Sequence, residues 1–352
     1  MTSLYIRPSG LMYGPDAALA IAAGAGLPLA GGPICWTMAL VSEDRGTSWT
    51  PRKVAALKAS RDGDVAGWMT RLSDPRKPVA GLVMNACHVM GIVNTTPDSF
   101  SDGGVNADAG IALENARAMA RDGAVLLDVG GESTRPGSDP VDEPEEWRRI
   151  EPVVTALVAD GLKVSCDTRK AAIMQKVARA GAAMINDVSA LSHEPDALSA
   201  TAASGLPVCL MHAQGDPKTM QQNPEYDNVV LDVYDWLAQR IDRVVAAGIA
   251  RDRIIADPGI GFGKSFAHNL ELMAGLTLFH GLGVPVLLGA SRKGFIGAVT
   301  GEKIAANRQT GSAVAALSGA MSGMQFVRVH DVTATRHALS MWRASTGQQQ
   351  VL

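Results

Sequence analysis

Between Cys87 and Asp331 the chain passes eight times through a short apolar run, and nearly every run ends on a polar or charged residue followed closely by glycine, proline or serine. The runs are CHVMGIVN to Asn94, AVLLDVGG around Asp128, LKVSCDT near Asp167, AMINDV with Asn186, PVCLMH with His212, RIIADPG with Asp257, PVLLGAS with Ser291, and FVRVHD with His330. Strands buried on both faces read as continuous apolar runs, and parallel neighbours need a crossover helix between them. Helical spacing over 107–122, 143–159, 171–180, 229–247 and 307–323 supplies such crossovers. Eight units in about 250 residues close most economically into a (β/α)8 TIM barrel, whose chemistry sits at the carboxyl ends of the strands. Asn94, Asp167, Asn186, Asp257, Lys293, Arg328 and His330 fall at those ends.

The first eighty residues do not keep this beat. They offer one strand (34–41), one amphipathic helix (51–72) and a Ser-Asp-Pro-Arg-Lys-Pro hinge at 73–78. The chain therefore divides into an N-terminal extension of unlegible role (1–80) and a barrel (81–352). Charged residues are 19% of the 352 and the net charge is −3, so no basic field for nucleic acid or an anionic membrane is present and the expected partners are small molecules. The alanine-rich stretch 17–30 resembles a weak leader core, but Asp16 precedes it and Arg7 is the lone nearby cation, which argues against secretion. Cys35, Cys87, Cys166 and Cys209 have no CxxC spacing and fit reduced core thiols in a cytoplasmic protein.

Two long loops, Asn94–Gly104 and Gly130–Ser138, are polar and glycine-rich at the catalytic end, which reads as lids that order over a ligand. Phe100 and Arg135 are costly residues for loops that are merely solvated. In the last strand Arg328 and His330 share a face, and with Lys293 they suit an anionic ligand such as a phosphate; each could equally pair with a neighbouring aspartate. Asp167, Asn186 and Asp257 suit a planar donor edge such as that of a pterin or guanine, unless Arg169 or Lys293 pairs with the carboxylates. The run Pro258–Ser265 lacks the first glycine of a nucleotide-binding P-loop, and the histidines show no zinc spacing. The acidic run 142–146 reads as first-turn helix charge.

From Cys87 onward the segments GIVNTTPDSFSDGG, DVGGESTRPGS, DTRK, INDVSA, CLMHAQGDPKTMQ, DPGIGFGKS, GASRKGFIG and RVHDV closely resemble those of the dihydropteroate synthases, in the same order. The resemblance implies an alkyl-group transferase that joins 7,8-dihydropterin-6-ylmethyl diphosphate to 4-aminobenzoate, giving 7,8-dihydropteroate and pyrophosphate for folate synthesis. It assigns the pterin to Asp167, Asn186, Asp257, Lys293 and Met211. Asn94 would hold Mg2+ and, with Arg328 and His330, the diphosphate. Thr134, Arg135, Pro136, Phe100, Phe262 and Ser291 would surround the aminobenzoate. Asp167, Lys293, Arg328 and His330 are the expected catalytic set. A homodimer and inhibition by sulfonamides are also implied.

Two other readings stand beside this one. A corrinoid-dependent methyltetrahydrofolate methyltransferase shares the pterin floor but does not need STRPGS, SRK or the Arg328 and His330 pair. A non-catalytic pterin-binding barrel predicts a broken residue in these sets, and none is found.

Overall fold

The computed structural model describes residues 4–95, 104–133, 138–215, 220 and 222–348. The N-terminal unit runs β1 (Tyr5–Met12), α1 (Gly14–Ala22), β2 (Leu27–Pro28), β3 (Cys35–Ser42), β4 (Thr50–Lys53), α2 (Val54–Lys58) and α3 (Gly63–Ser73). β1 pairs antiparallel with β3, from Tyr5↔Ser42 to Met12↔Cys35, while β2 and β4 share the other edge of β3. The strand expected at 34–41 is β3. The helix expected over 51–72 is broken, because Asp62 accepts the N–H of Asp64 and starts a new helix in mid-pattern. β1 was masked in the sequence by Pro8 and Gly10, which disfavour a strand interior; it survives as an edge strand, with Thr277 donating its hydroxyl to the Pro8 carbonyl at 2.8 Å.

The barrel strands are β5 (His88–Asn94), β6 (Leu126–Gly130), β7 (Val164–Asp167), β8 (Met184–Asp187), β9 (Val208–Met211), β10 (Ile254–Asp257), β11 (Leu287–Leu288) and β12 (Phe326–Val329). All pair in parallel in the order β10-β9-β8-β7-β6-β5-β12-β11, and a bridge between Ala256 and Val286 joins the two ends. The crossover helices are α4 (Gly104–Arg121), α5 (Glu143–Ala159), α6 (Ala171–Arg179), α7 (Ala197–Ser204), α8 (Val229–Ala246), α9 (Phe266–Ala274), α10 (Gly294–Thr300) and α11 (Gln309–Met321), and α12 (Val332–Ser345) ends the barrel. This is the (β/α)8 architecture expected from the eight runs.

Period-two alternation sorts each strand. Val89, Leu127, Val164, Ile185, Ile254 and Val327 face the helices, whereas Met90, Leu126, Met184, Cys209, Ile255, Leu287 and Phe326 form a separate inner cluster. Val79 and Met84 belong to that inner cluster, and Val79 bridges back to Leu82. Residues 79–84 therefore close the amino-terminal end of the barrel with apolar side chains, and this plug straddles residue 80.

The N-terminal unit shares one apolar core with the outer barrel layer. Trp68 of α3 stacks on Tyr234 of α8 at 5.2 Å, and Tyr5 meets both rings edge-on. The Tyr5 hydroxyl donates to Asp235 at 2.8 Å. Arg71 and Arg76 donate to the carbonyls of Gly281 and His280 at 2.7 and 2.8 Å. Packing at Gly281 leaves no room for a side chain, since a Cβ would lie 2.1 Å from the Trp68 ring. Overpacking of this kind costs about 1–3 kcal/mol. Gly281→Ala is expected to lower stability by that amount while preserving the secondary structure, as read from urea melts and circular dichroism; an unchanged midpoint would mean that the Trp68 contact is soft.

Candidate active site

Two residues beyond the apolar inner layer, the same phase of each strand brings a second set of side chains into the barrel. From Leu126 it reaches Asp128, from Met184 Asn186, from Cys209 Met211, from Ile255 Asp257 and from Phe326 Arg328. Asp167 occupies the matching place in β7, two residues beyond the buried Ser165. The next step along β5 and β12 reaches Asn94 and His330 at the rim, and the end of the seventh strand leads to Ser291. The barrel thus carries an apolar floor, a charged middle and a polar rim.

Arg328 organises the middle layer. Its Nε donates to Asp128 Oδ2 at 2.6 Å and its Nη2 to Asp167 Oδ2 at 2.8 Å, while Asn186 donates to Asp128 Oδ2 at 2.9 Å. Asp128 Oδ1 is buried with no partner among the described residues. Burial would lower the Arg328 pKa, but the two aspartates overcome it and hold the guanidinium charged. Burial raises the Asp167 carboxyl above its ordinary range, against the pull of Arg328 and with the push of Asp128. Asp128 was not among the residues singled out in the sequence. The signal was available, because it stands in the same strand phase as Asp257 and Arg328.

Asp257 uses Oδ1 to accept the Gly259 N–H at 2.7 Å, and burial raises its pKa in spite of that bond and of nearby Lys293. Its Oδ2 faces Gly289, where even a Cβ would stand only 3.5 Å away. Lys293 donates to the Ile260 carbonyl and lies 3.9 Å over the Phe262 ring; burial pushes its pKa down to about 7. Neither expected alternative pairing of the carboxylates is formed: Arg169 donates instead to Glu132 at 2.6 Å, and Lys293 makes no ion pair with Asp257.

Lys293 follows Arg292, a non-glycine residue at φ +58. That strain is held by the Ser312 hydroxyl on the Arg292 N–H, by a two-pronged pair to Asp331 and by Arg308 on the Arg292 carbonyl. Ser291, on the other side, accepts from the His330 N–H at 3.2 Å and lies 3.0 Å from His330 Nδ1. Arg328 and His330 do share a face, but they act at different depths, one ion-paired within the barrel and the other at the rim. Asn94 ends β5 with its amide unpartnered among the described residues.

Met211 and Phe262 line a cavity of about 280 Å3 together with Arg169, Ser189 and Trp236. The loops after β9 and β10 that build this wall touch backbone to backbone. A Cβ on Gly259 would lie 1.9 Å from the His212 carbonyl oxygen. Lys264 pins them: its ammonium meets His212 Nδ1 at 3.0 Å and donates to the Phe262 carbonyl at 2.9 Å. It is a loop clasp, with no free ammonium for a phosphate. The acidic run 142–146 is structural as expected, though Glu146 is not solvated; it is buried against Lys170, which also holds Glu132. Phe100, Thr134, Arg135 and Pro136 lie outside the described residues.

Residues 90–330 match the pterin binding enzymes, which sets the class of this barrel and its inner layer. A dihydropteroate synthase of Neisseria meningitidis serogroup B is 51% identical over 263 residues, 73% of this chain and 92% of the relative. That of Escherichia coli K12 is 45% identical over 264 residues, covering 75% and 93%. A Xanthomonas albilineans dihydropteroate synthase solved with 4-aminobenzoic acid superposes with a TM-score of 0.72 at 47% identity, over 77% of this chain and 98% of that one. The chain belongs to the dihydropteroate synthase family.

The clasp has a pH signature. Burial lowers the Lys264 pKa to about 7, whereas an unfolded lysine titrates near 10.4. Between these values the unfolded chain binds the extra proton, so this group makes stability rise with pH across that window, by up to about 1.4 kcal/mol per pH unit. Urea melts at pH 7 and pH 9 are expected to show a larger gain for the native protein than for Lys264→Met. Equal gains would mean that the ammonium is not desolvated.

Proposed function

We propose that this chain joins 7,8-dihydropterin-6-ylmethyl diphosphate to 4-aminobenzoate, releasing pyrophosphate, and that the charged middle layer of the barrel is the pterin site. The observation that carries the proposal is that layer itself: three inward aspartates, Asn186 and two cations enclosed by a barrel of the dihydropteroate synthase family. Asp257 Oδ2 and Asn186 offer acceptors to the amino and ring N–H edge of a pterin, Lys293 offers a donor, and Met211 offers an apolar side to the ring. The solved Xanthomonas albilineans relative with 7,8-dihydropteroate has a TM-score of 0.70 at 45% identity, which supports the assignment.

Breaking the carbon–oxygen bond to diphosphate leaves positive charge on the dihydropterin methylene and negative charge on the leaving group. Asp167 and Asp128, below that position, favour the first. His330, and the Arg328 Nη1 that has no partner among the described residues, are the donors proposed for the second. Aminobenzoate then attacks the methylene through its nitrogen, whose proton passes to the departing pyrophosphate, with Ser291, Phe262, Phe100, Thr134, Arg135 and Pro136 assigned to its side of the site by resemblance. The Asn94 amide oxygen fits a Mg2+ ion that takes its other ligands from water and diphosphate, since Mg2+ commonly uses few protein oxygens. Bound there, the ion would neutralise charge on the leaving diphosphate.

A Yersinia pestis relative is solved with a sulfonamide drug at 46% identity and a TM-score of 0.72, which supports sulfonamide inhibition here. Four free cysteines are consistent with a reducing cytoplasm, and no described helix is long and apolar enough to cross a membrane. A homodimer is supported by exposed apolar residues on neighbouring helices, Phe266 and Leu270 on α9, Val299 on α10 and Val314 on α11, with Ile304 between α10 and α11.

Asp257→Asn presents a donor to the donors of the pterin. It is expected to weaken pterin binding by about 1.5–3 kcal/mol, the worth of a charge-assisted hydrogen bond, with the fold unchanged. Calorimetry showing native affinity in the folded variant would reject the pterin site. Phe266→Glu with Leu270→Glu is expected to convert a dimer into monomers in sedimentation velocity; an unaltered dimer would place the contact elsewhere.

A further inference from the structure

A cavity larger than the one beside Met211 lies away from the catalytic end. A cleft of about 510 Å3 lies at the opposite end of the barrel, where the N-terminal unit meets it. Ile21, Leu29 and Ile34 supply one wall, and Met84, Met324 and Trp342 supply the other. The surface is apolar enough to take a flat hydrocarbon body, and neither the N-terminal unit nor the barrel could form it alone.

Arg343 is the charged residue on the lining of the cleft. Arg343 of α12 lines it and gives a single hydrogen bond, from Nη2 to the Cys87 carbonyl at 3.0 Å. It has no carboxylate within ion-pair distance among the described residues. Trp342 and Gln348, also on the lining, each keep a buried side-chain nitrogen without an acceptor, Nε1 and Nε2. Those two nitrogens are shielded even from water, so the polar group that a cleft occupant can reach is Arg343, and a guanidinium beside apolar walls favours an occupant with acceptor oxygens and negative charge.

We propose that this cleft is a second ligand site, separate from the barrel mouth, and that it takes a small organic anion with a flat apolar body and one carboxylate or sulfonate group. The anion would sit against Arg343, and the body would lie between α1 and the residues after the barrel plug. Because both halves of the chain contact the occupant, its binding favours the docked arrangement of the N-terminal unit.

The test uses 8-anilinonaphthalene-1-sulfonate on the full chain, with 1-naphthoate as competitor. One saturable fluorescent site is expected, displaced by 1-naphthoate. Arg343→Met should weaken it about tenfold or more, and Arg343→Lys should restore part of the loss. Ala18 lines the cleft and is exposed, so Ala18→Phe fills the space without disturbing the core and should also abolish binding. Neither change is near the barrel mouth, so pteroate formation should be unaffected, which keeps this proposal separable from the assigned reaction. Absence of a saturable site, or native affinity in both Arg343→Met and Ala18→Phe, would overturn the site. Loss in Ala18→Phe with native affinity in Arg343→Met would overturn the assignment of an anion.

Discussion

Arg328 sits inside a closed barrel between Asp128 and Asp167, and the rest of the site is arranged around that burial of charge. Removing one member would strand the others away from water, at about 3–5 kcal/mol. The pairing is not neutral: two aspartates share one guanidinium, Asn186 helps to satisfy Asp128, and Asp257 adds a third carboxylate with one oxygen unbonded among the described residues. An enclosed surplus of acceptors is a poor way to stabilise a core and a good way to hold a donor-rich ring. The raised pKa of Asp167 and Asp257 records the same cost, since a ligand that brings N–H groups relieves part of it.

The layer depends on what lies above and below. Beneath it, the apolar floor and the 79–84 plug keep water out from the amino end, which strengthens every interaction in the middle. Above it, strained Arg292 fixes Ser291 and Lys293 on opposite sides, and Lys264 clasps the two loops that carry Met211 and Phe262. These supports set where Ser291, Lys293, Met211 and Phe262 stand, and they account for glycine at 259, where the backbone of a second loop passes within van der Waals contact.

Much of this was legible in the chain. A strand buried on both faces has few ways to be written, so eight apolar runs located eight strands, and the polar residue closing each run located the mouth. What the sequence hid has physical causes. Asp128 stands in the middle of its strand, so attention to the residue that closes each run passes it over, although the phase shared with Leu126 places it inside the barrel. Arg328 and His330 share a face by alternation, but alternation says nothing of depth, and two residues of rise put one among carboxylates and the other at the rim. In the N-terminal unit, Pro8 and Gly10 spoke against a strand that neighbouring chain stabilises from its open edge. Asp62 broke a helix whose apolar spacing ran on unbroken.

The pterin is proposed to enter the middle layer rather than the rim or the amino-end cleft. Diffraction from crystals soaked with a pterin and pyrophosphate tests it most directly. The ring is expected within the barrel, its amino and ring N–H groups in hydrogen-bond contact with Asp257 and Asn186 and its face along Met211. A ring ordered elsewhere, with Asp257 and Asn186 untouched, would contradict it.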